Sequence, residues 1–170
     1  TRVALGEADL VIGCDALVSA SPEVLSRLRP EHGRAVVNSS AAPTAAFLSQ
    51  PAWRFPGAQA RAALGQGTGG NCDFIDAGPL AESLLGDTIY ANPLLLGYAW
   101  QKGGLPLSLD SLRRAIEING VAVEKNLAAF ELGRQAAYHG VDAVRPANRL
   151  RPDALAVPGV HSVLSHSNRP

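Results

Sequence analysis

The sequence has no methionine, and it has only two cysteines, Cys14 and Cys72. We therefore expect that Thr1 is not an encoded start and that the chain is a processed product or a piece of a longer protein. The two cysteines are far apart in the chain, so this segment is not a disulfide scaffold and does not hold an iron–sulfur cluster by itself. We expect both thiols to be small buried side chains. So few cysteines favour a reducing, cytoplasmic compartment.

An excess charge of either sign is also missing. Fifteen Lys and Arg residues balance fifteen Asp and Glu residues. A nucleic-acid partner needs a basic surplus or stripe, and a polybasic membrane anchor needs the same, so we expect neither partner. No apolar run approaches the roughly 20 residues of a membrane-spanning helix. The 46% hydrophobic content is nevertheless enough for a folded core.

The first third of the sequence alternates like an α/β layer. The apolar run 8–13 predicts a strand, and Ser21 and Pro22 start a helix that continues to Arg29. Residues 35–37 predict a second strand, which Asn38-Ser39-Ser40 ends. Strand, helix and strand with short connections predict a parallel sheet.

The rest of the sequence predicts one more strand and then mostly helix. Asn92 is the predicted N-cap of a helix over 94–102, although a start at Asp87 with a kink at Pro93 is the alternative. The fold class is therefore α/β, a parallel sheet flanked by helices with a helical C-terminal half. The remaining elements are a strand at 74–76, helices at 44–49, 59–64, 78–85 and 121–138, and a helix after Ser108 with an Arg113–Glu117 pair.

The segment Gly65–Gly70 matches the spacing G-x-G-x-x-G. A dinucleotide loop needs a strand before this motif and a helix after it, so that backbone N–H groups meet phosphate. Here a predicted helix precedes it and a predicted strand follows it. This inverted context favours a linker, and a loop that binds coenzyme A or a nucleotide is the alternative.

No catalytic or metal-ligating residue is predicted. The four histidines have no i, i+4 metal spacing, and Ser39-Ser40 lacks a G-x-S-x-G context. Carboxylates such as Asp15 and Asp76 lie at predicted strand edges, where capping of loops is commoner than acid–base chemistry.

The helix over 94–102 is apolar nearly all round, which predicts burial against the sheet, a second domain or a subunit. Gly97 in its middle predicts the close approach of another backbone. Asn119 and Asn126 carry amides that we expect to tie helix ends together. The candidate structural or interface residues are Asn92, Gly97, Tyr98, Lys102, Asn119 and Asn126.

Seven segments of the sequence carry a resemblance to a known family: 4–15, 34–38, 84–87, 92–103, 106–108, 115–126 and 129–134. Together they resemble the gamma-type domain of 2-oxoacid:ferredoxin oxidoreductases, in its indolepyruvate ferredoxin oxidoreductase branch. The resemblance covers about residues 2–138 and lacks the family's Gly-rich first strand–turn–helix. Pro93 stands where the family more usually has an apolar residue.

The resemblance implies a function at the level of a complex. Such enzymes convert a 2-oxoacid, here an aryl one, and coenzyme A to an acyl-CoA and carbon dioxide, and pass electrons to ferredoxin. Thiamine diphosphate, magnesium and iron–sulfur clusters are expected on other domains, so no cofactor residue is carried over to this chain. We expect a gamma-type domain at 1–140 that packs against thiamine-binding domains, a partly disordered tail at 141–170, and no activity of the isolated chain.

Overall fold

A computed structural model describes residues 3–40 and 56–145. The chain divides into two compact units, Thr1–Pro79 and Leu80–Pro170. The helix predicted at 44–49 lies outside the described residues.

The first unit contains a three-stranded parallel sheet. Its strands are β1 (Leu10–Gly13), β2 (Arg34–Asn38) and β3 (Cys72–Ile75), in the spatial order β1-β2-β3. Ile12 pairs with Val36, and Val37 pairs with Phe74. The predicted parallel sheet is confirmed, and the carboxyl ends of its strands share one edge.

Short helices connect these strands. They are α1 (Ala16–Ser19), which the sequence did not predict, α2 (Pro22–Leu25) and α3 (Gly57–Gly67). The prediction that α2 continues to Arg29 is wrong, because residues 27–29 pair with the backbone near Ala8 instead. Ala8 donates its N–H to the Arg27 carbonyl at 2.8 Å, and its own carbonyl accepts from Arg29 at 2.8 Å.

One face of the sheet builds the core of the first unit. The buried side chains of Ala35 and Val37 on β2 pack with Ala16 and Leu64 from α1 and α3. Partly buried apolar neighbours, including Val11 and Phe74 on the flanking strands, extend this cluster. Burial of apolar area stabilises the layer by roughly 25 cal/mol per Å².

The remaining elements are helical, which confirms the helical C-terminal half. Helix α4 begins at Ala77 and ends at Leu85, so it crosses the division between the units. The second unit then holds a 3₁₀ turn (Thr88–Tyr90), α5 (Ala91–Gln101), α6 (Leu109–Asn119), α7 (Val123–His139) and α8 (Val141–Val144).

The predicted cap at Asn92 is wrong. The N-cap of helix α5 is Tyr90, two residues before Asn92. The helix starts at Ala91, so Asn92 lies within its first turn. Asp87 instead caps the preceding 3₁₀ turn by accepting the Ile89 N–H at 2.9 Å. Pro93 removes no helical hydrogen bond there, because N–H groups in a first helical turn have no intrahelical acceptor.

The termini of α6 and α7 differ in part from the prediction. Ser108 caps α6 as predicted, and its Oγ accepts the Ser111 N–H at 3.1 Å. Helix α7 starts at Val123 rather than at residue 121, because Gly120 and Ala122 take positive φ values of 71° and 42°.

The predicted Arg113–Glu117 ion pair is also wrong. Arg114 pairs with Glu117 at 3.0 Å, three residues apart on α6. Arg113 reaches Glu131 on α7 at 3.3 Å. The guanidinium of Arg113 therefore links two helices instead of supporting one.

Helix α8 lies at the start of the predicted tail, and its Val144 side chain is buried. Residues 146–170 lie outside the described residues, so the domain boundary at residue 140 stays a prediction. Among the described helices, none has the length and apolar character needed to cross a lipid bilayer.

Candidate functional site

A polar network closes the carboxyl edge of the sheet in the first unit, at Asn38, Ser40 and Asp76. The Asn38 amide oxygen accepts the N–H groups of Ser40 and Ala77, both at 3.1 Å. The Asn38 amide nitrogen donates to the Cys14 carbonyl at 3.4 Å. This single amide thus joins the ends of β1 and β2 to the start of α4.

Ser40 and Asp76 complete this strand-end network. The Ser40 Oγ lies 2.7 Å from an Asp76 carboxylate oxygen and accepts the Gly78 N–H at 3.1 Å. It also lies 2.8 Å from the Asn38 amide oxygen, but a hydroxyl has one proton, and that oxygen already receives two N–H groups. We assign the proton to the Asp76 carboxylate, which is the stronger acceptor.

These contacts give the strand-end network a structural role. The Ser40 hydroxyl is engaged as donor and as acceptor, and no histidine joins it among the described residues. Asp15 likewise caps α1, because its carboxylate accepts the Leu17 N–H at 2.7 Å. The prediction that hydroxyls and carboxylates at these strand edges cap loops is confirmed for Ser40 and Asp15, whereas the Asp76 carboxylate accepts the Ser40 hydroxyl and caps no backbone N–H within the described residues.

The glycine-rich segment lacks the geometry of a phosphate loop. Gly65 and Gly67 lie in the last turn of α3, and β3 begins at Cys72. Gly69 and Gly70, with φ values of 59° and 89°, turn the chain between helix and strand. A phosphate there would face the carbonyl end of α3, where the helix dipole disfavours anions. The segment also precedes β3, whereas ligands of parallel sheets bind at the carboxyl ends of strands.

In the second unit, α5 and α7 touch through two glycines. A Cβ atom at Gly97 would lie 1.9 Å from the Phe130 carbonyl oxygen, and one at Gly133 would lie 1.9 Å from the Leu94 carbonyl oxygen. Each helix therefore leaves room for the backbone of the other. The predicted close approach at Gly97 is confirmed, and the partner within this unit is α7.

A buried arginine lies beside this glycine contact. Arg134 on α7 is 2% exposed, and its guanidinium donates to Glu131 at 2.7 Å and to Gln101 at 3.1 Å. It also lies 5.1 Å from the centre of the Trp100 ring, within the range of a cation–π interaction. Burial of a charged group requires such partners, so this cluster fixes α5 against α7.

Sequence reasoning missed Gly133 and Arg134. A charged residue in a helix is usually solvated, and a single glycine does not show which other glycine it meets. A signal was nevertheless present, since Phe130, Arg134 and Ala137 recur at helical spacing on the predicted apolar face. A charge on that face indicates a buried, paired group.

The six candidate interface residues do not form one cluster. Gly97 and Tyr98 are buried, whereas Asn92, Lys102 and Asn119 are exposed. Asn126 is half-buried, and its amide donates to the Val121 carbonyl at 2.8 Å, which confirms a tie at the start of α7. The same expectation is wrong for Asn119, whose side chain has no hydrogen bond within the described ranges 3–40 and 56–145.

Neither cysteine is chemically activated. Partial burial raises the pKa of the Cys14 thiol. Burial, and then the Asp73 carboxylate, raises the pKa of Cys72 to about 11, while Arg61 opposes this shift. Thiols that act as nucleophiles or metal ligands have lowered pKa values. Neither cysteine therefore fits such a role.

The chain does not fit an iron–sulfur cluster. Such a cluster usually takes about four thiolates, and the chain has two cysteines. In the part of the chain that the structure describes, no three His, Cys, Asp or Glu side chains converge to hold a metal ion.

The fold is thus an α/β layer followed by a helical unit. In these units, the strand-end network and the glycine contact serve packing. The family profile described as pyruvate ferredoxin/flavodoxin oxidoreductase matches residues 1–136. The chain belongs to this family, so it is part of an oxidoreductase of the 2-oxoacid:ferredoxin type. No curated protein and no solved structure matches it.

Proposed function

We propose that the chain is the gamma-type domain, or a fragment, of an indolepyruvate ferredoxin oxidoreductase, and that it supplies scaffold and interface rather than cofactor chemistry. The family match over residues 1–136 supports the oxidoreductase class on which this proposal builds. The complete enzyme would convert an aryl 2-oxoacid and coenzyme A to an acyl-CoA and carbon dioxide, and reduce ferredoxin. We assign thiamine diphosphate, magnesium and the iron–sulfur clusters to other domains or subunits, and the enzyme to the cytoplasm.

The choice of indolepyruvate rests on the resemblance of particular segments. The segment 92–103 corresponds to α5 and the residues that end it. The segment 115–126 comprises the end of α6, the link 120–122 and the start of α7. Both segments lie in the second unit, which holds the glycine contact and Arg134. The glycine contact and the paired Arg134, which fix α5 against α7, support a role for the second unit as scaffold.

The exposed candidates supply the proposed interface. Asn92, Lys102 and Asn119 place two neutral amides and one ammonium group on the surface. Ile118 and Val121 lie close to Asn119 in sequence and are 70% and 65% exposed. Apolar side chains exposed to this degree gain free energy when a partner covers them. We assign that partner to the thiamine-binding domain of the same enzyme.

Purification of the complete enzyme through a tag on this segment tests the proposal. We expect thiamine-containing subunits to co-purify and indolepyruvate to be oxidised in a reaction that depends on coenzyme A. A preparation that oxidises pyruvate faster than indolepyruvate would contradict the proposed indolepyruvate specificity but would agree with the family assignment. A preparation without thiamine would contradict the assigned partner.

A set of surface variants tests the interface separately. The combined substitutions Asn92→Ala, Lys102→Ala and Asn119→Ala should reduce co-purification of the thiamine-containing subunits at an unchanged urea midpoint. Asn71→Ala is the matched control, because Asn71 is also an exposed amide but belongs to the first unit. If both variants retain the subunits equally well, these three residues do not belong to the interface.

The geometry does not favour coenzyme A or nucleotide binding at Gly65–Gly70. We expect titration with coenzyme A, NAD or ATP to leave the amide resonances of Gly67, Gly69 and Gly70 unchanged. The carbonyl end of α3 gives an anion no N–H groups to meet. Saturable shifts centred on these glycines would instead support a ligand site.

A further inference from the structure

Asn119 and Gly120, at the end of α6, form a chemically reactive pair. An asparagine amide is attacked most easily by the following backbone nitrogen when the next residue has no side chain to obstruct the approach. Asn119 is the one asparagine in the sequence that glycine follows. The others, all followed by larger residues, are Asn38, Asn71, Asn92, Asn126, Asn148 and Asn168.

The local structure leaves this pair open to reaction. Asn119 and Gly120 are exposed, as are the preceding Glu117 and Ile118. No hydrogen bond to a described residue holds the Asn119 amide. The Gly120 N–H donates to the Glu117 carbonyl at 3.1 Å, an i to i−3 bond at the end of the helix. Terminal turns of helices fray, and release of this exposed bond frees the Gly120 nitrogen.

We infer that Asn119 is a site of spontaneous deamidation and isoaspartate formation in the folded protein when the proposed thiamine-binding partner does not cover it. The Gly120 nitrogen loses its proton and attacks the Asn119 Cγ atom, forming a five-membered imide. The bond between Cγ and Nδ2 of Asn119 breaks, and ammonia leaves with the proton. Water then opens the imide at either carbonyl, giving aspartate or isoaspartate, so the overall reaction consumes one water and releases one ammonia without any redox change.

Several other asparagines are protected by identifiable features. Asn38 is held by hydrogen bonds on both its amide oxygen and its amide nitrogen. Asn92 precedes Pro93, which has no N–H to supply the nucleophile. Asn126 lies inside α7 and donates to the Val121 carbonyl. Asn71 is exposed like Asn119, but Cys72 follows it and belongs to β3.

The reaction changes both the charge and the backbone length at a short connection. A new carboxylate appears at the carbonyl end of α6, where the helix dipole disfavours negative charge. Isoaspartate also adds one backbone atom before the three-residue link 120–122, in which Gly120 and Ala122 already have positive φ values. The product is a substrate for carboxyl methyltransferases that act on isoaspartate, which provides a chemical readout.

Tryptic peptides make the test site-specific. Cleavage after Arg114, Lys125 and Arg134 separates Asn119 and Asn126 on the adjacent peptides 115–125 and 126–134. The folded full-length protein is incubated in mildly alkaline buffer, with a sample in urea and the Asn119→Gln variant alongside. Mass spectrometry follows each peptide, and a methyltransferase with labelled methyl donor quantifies isoaspartate.

We expect the 115–125 peptide of the folded protein to gain the deamidated mass and the methyl label faster as pH rises, because the Gly120 nitrogen must lose its proton. The 126–134 peptide should remain unchanged, and Asn119→Gln should abolish the label. Conversion in urea with none in the folded protein would show that the native helix end protects Asn119 and would overturn the inference. Equal conversion of both peptides would also overturn it.

Discussion

The two compact units hold their elements together by opposite means. In the first unit, polar side chains hold the ends of the strands: Asn38 and Ser40 accept the N–H groups of Ala77 and Gly78. In the second unit, α5 and α7 approach each other closely because Gly97 and Gly133 have no side chains at the contact. The first arrangement depends on groups that form hydrogen bonds, and the second depends on space left for a backbone.

This difference predicts different responses to substitution. A half-buried polar network loses stability gradually, because water replaces some of the lost partners. A close contact between two backbones fails more abruptly, since an added Cβ atom moves a whole helix or strains its carbonyl groups.

The largest effect is expected at the glycine contact. Gly97→Leu should destabilise the protein by roughly 1–3 kcal/mol or more, because its Cβ alone would lie 1.9 Å from the Phe130 carbonyl oxygen. Gly97→Ala and Gly133→Ala should each destabilise, and their double variant should lose less than the sum because both act on one contact. Urea unfolding measures all four. A wild-type midpoint for Gly97→Leu would mean that α5 does not approach α7 there.

The strand-end network should respond more weakly. Asn38→Ala removes the acceptor for the Ser40 and Ala77 N–H groups, and water replaces part of it at this half-buried edge, so we expect a loss of about 0.5–1.5 kcal/mol. Ser39→Ala is the matched control, because the Ser39 side chain has no hydrogen bond within the described residues. Equal urea midpoints for the two variants would show that the network does not stabilise the sheet edge.

A substitution at another glycine should change the stability in the opposite direction and so sharpens the comparison. Gly65 also lies inside a helix, α3, but a Cβ there meets nothing within 4 Å. Gly65→Ala should therefore stabilise by about 0.4–1 kcal/mol, since alanine lowers the entropy of the unfolded state. Thermal unfolding of Gly65→Ala beside Gly97→Ala compares the same change with and without space. Destabilisation by Gly65→Ala would show that α3 is more closely covered than the structure indicates.

The smallest effect at neutral pH is expected from Cys72, whose thiol titrates only in alkaline solution. The pKa of Cys72 is about 11 in the folded protein, above the ordinary thiol value of 9.0, so the folded state retains a proton that the unfolded state releases first. The free energy of unfolding should therefore fall as pH rises from about 9 to 11. Cys72→Ala should show a smaller decline over that range by urea unfolding. An identical pH dependence would mean that Cys72 does not contribute.

The sequence predicted features that depend on local chemistry. The strands, the caps at Ser108 and Asp15 and the need for space at Gly97 follow from residue type and spacing. The features it missed depend on tertiary contacts. The end of α2 is set by pairing near Ala8, and the burial of Arg134 is set by Trp100 and Gln101 on another helix.

The family assignment has a local basis in the sequence, and the proposed indolepyruvate branch rests on the same resemblance of segments. Segments such as 115–126 resemble the family, and the family match over residues 1–136 agrees with that resemblance. Under the proposal, the pocket around thiamine diphosphate lies on other domains, and the 2-oxoacid meets residues outside this segment.

The isolated chain provides the most direct test of the central claim, that this segment is scaffold and interface. The purified protein is supplied with thiamine diphosphate, magnesium, iron and sulfide, and assayed with indolepyruvate, coenzyme A and a low-potential electron acceptor. We predict no turnover by this segment alone, because its two cysteines are too few for a cluster, and turnover when the thiamine-binding partner is added. Turnover without that partner would contradict the account.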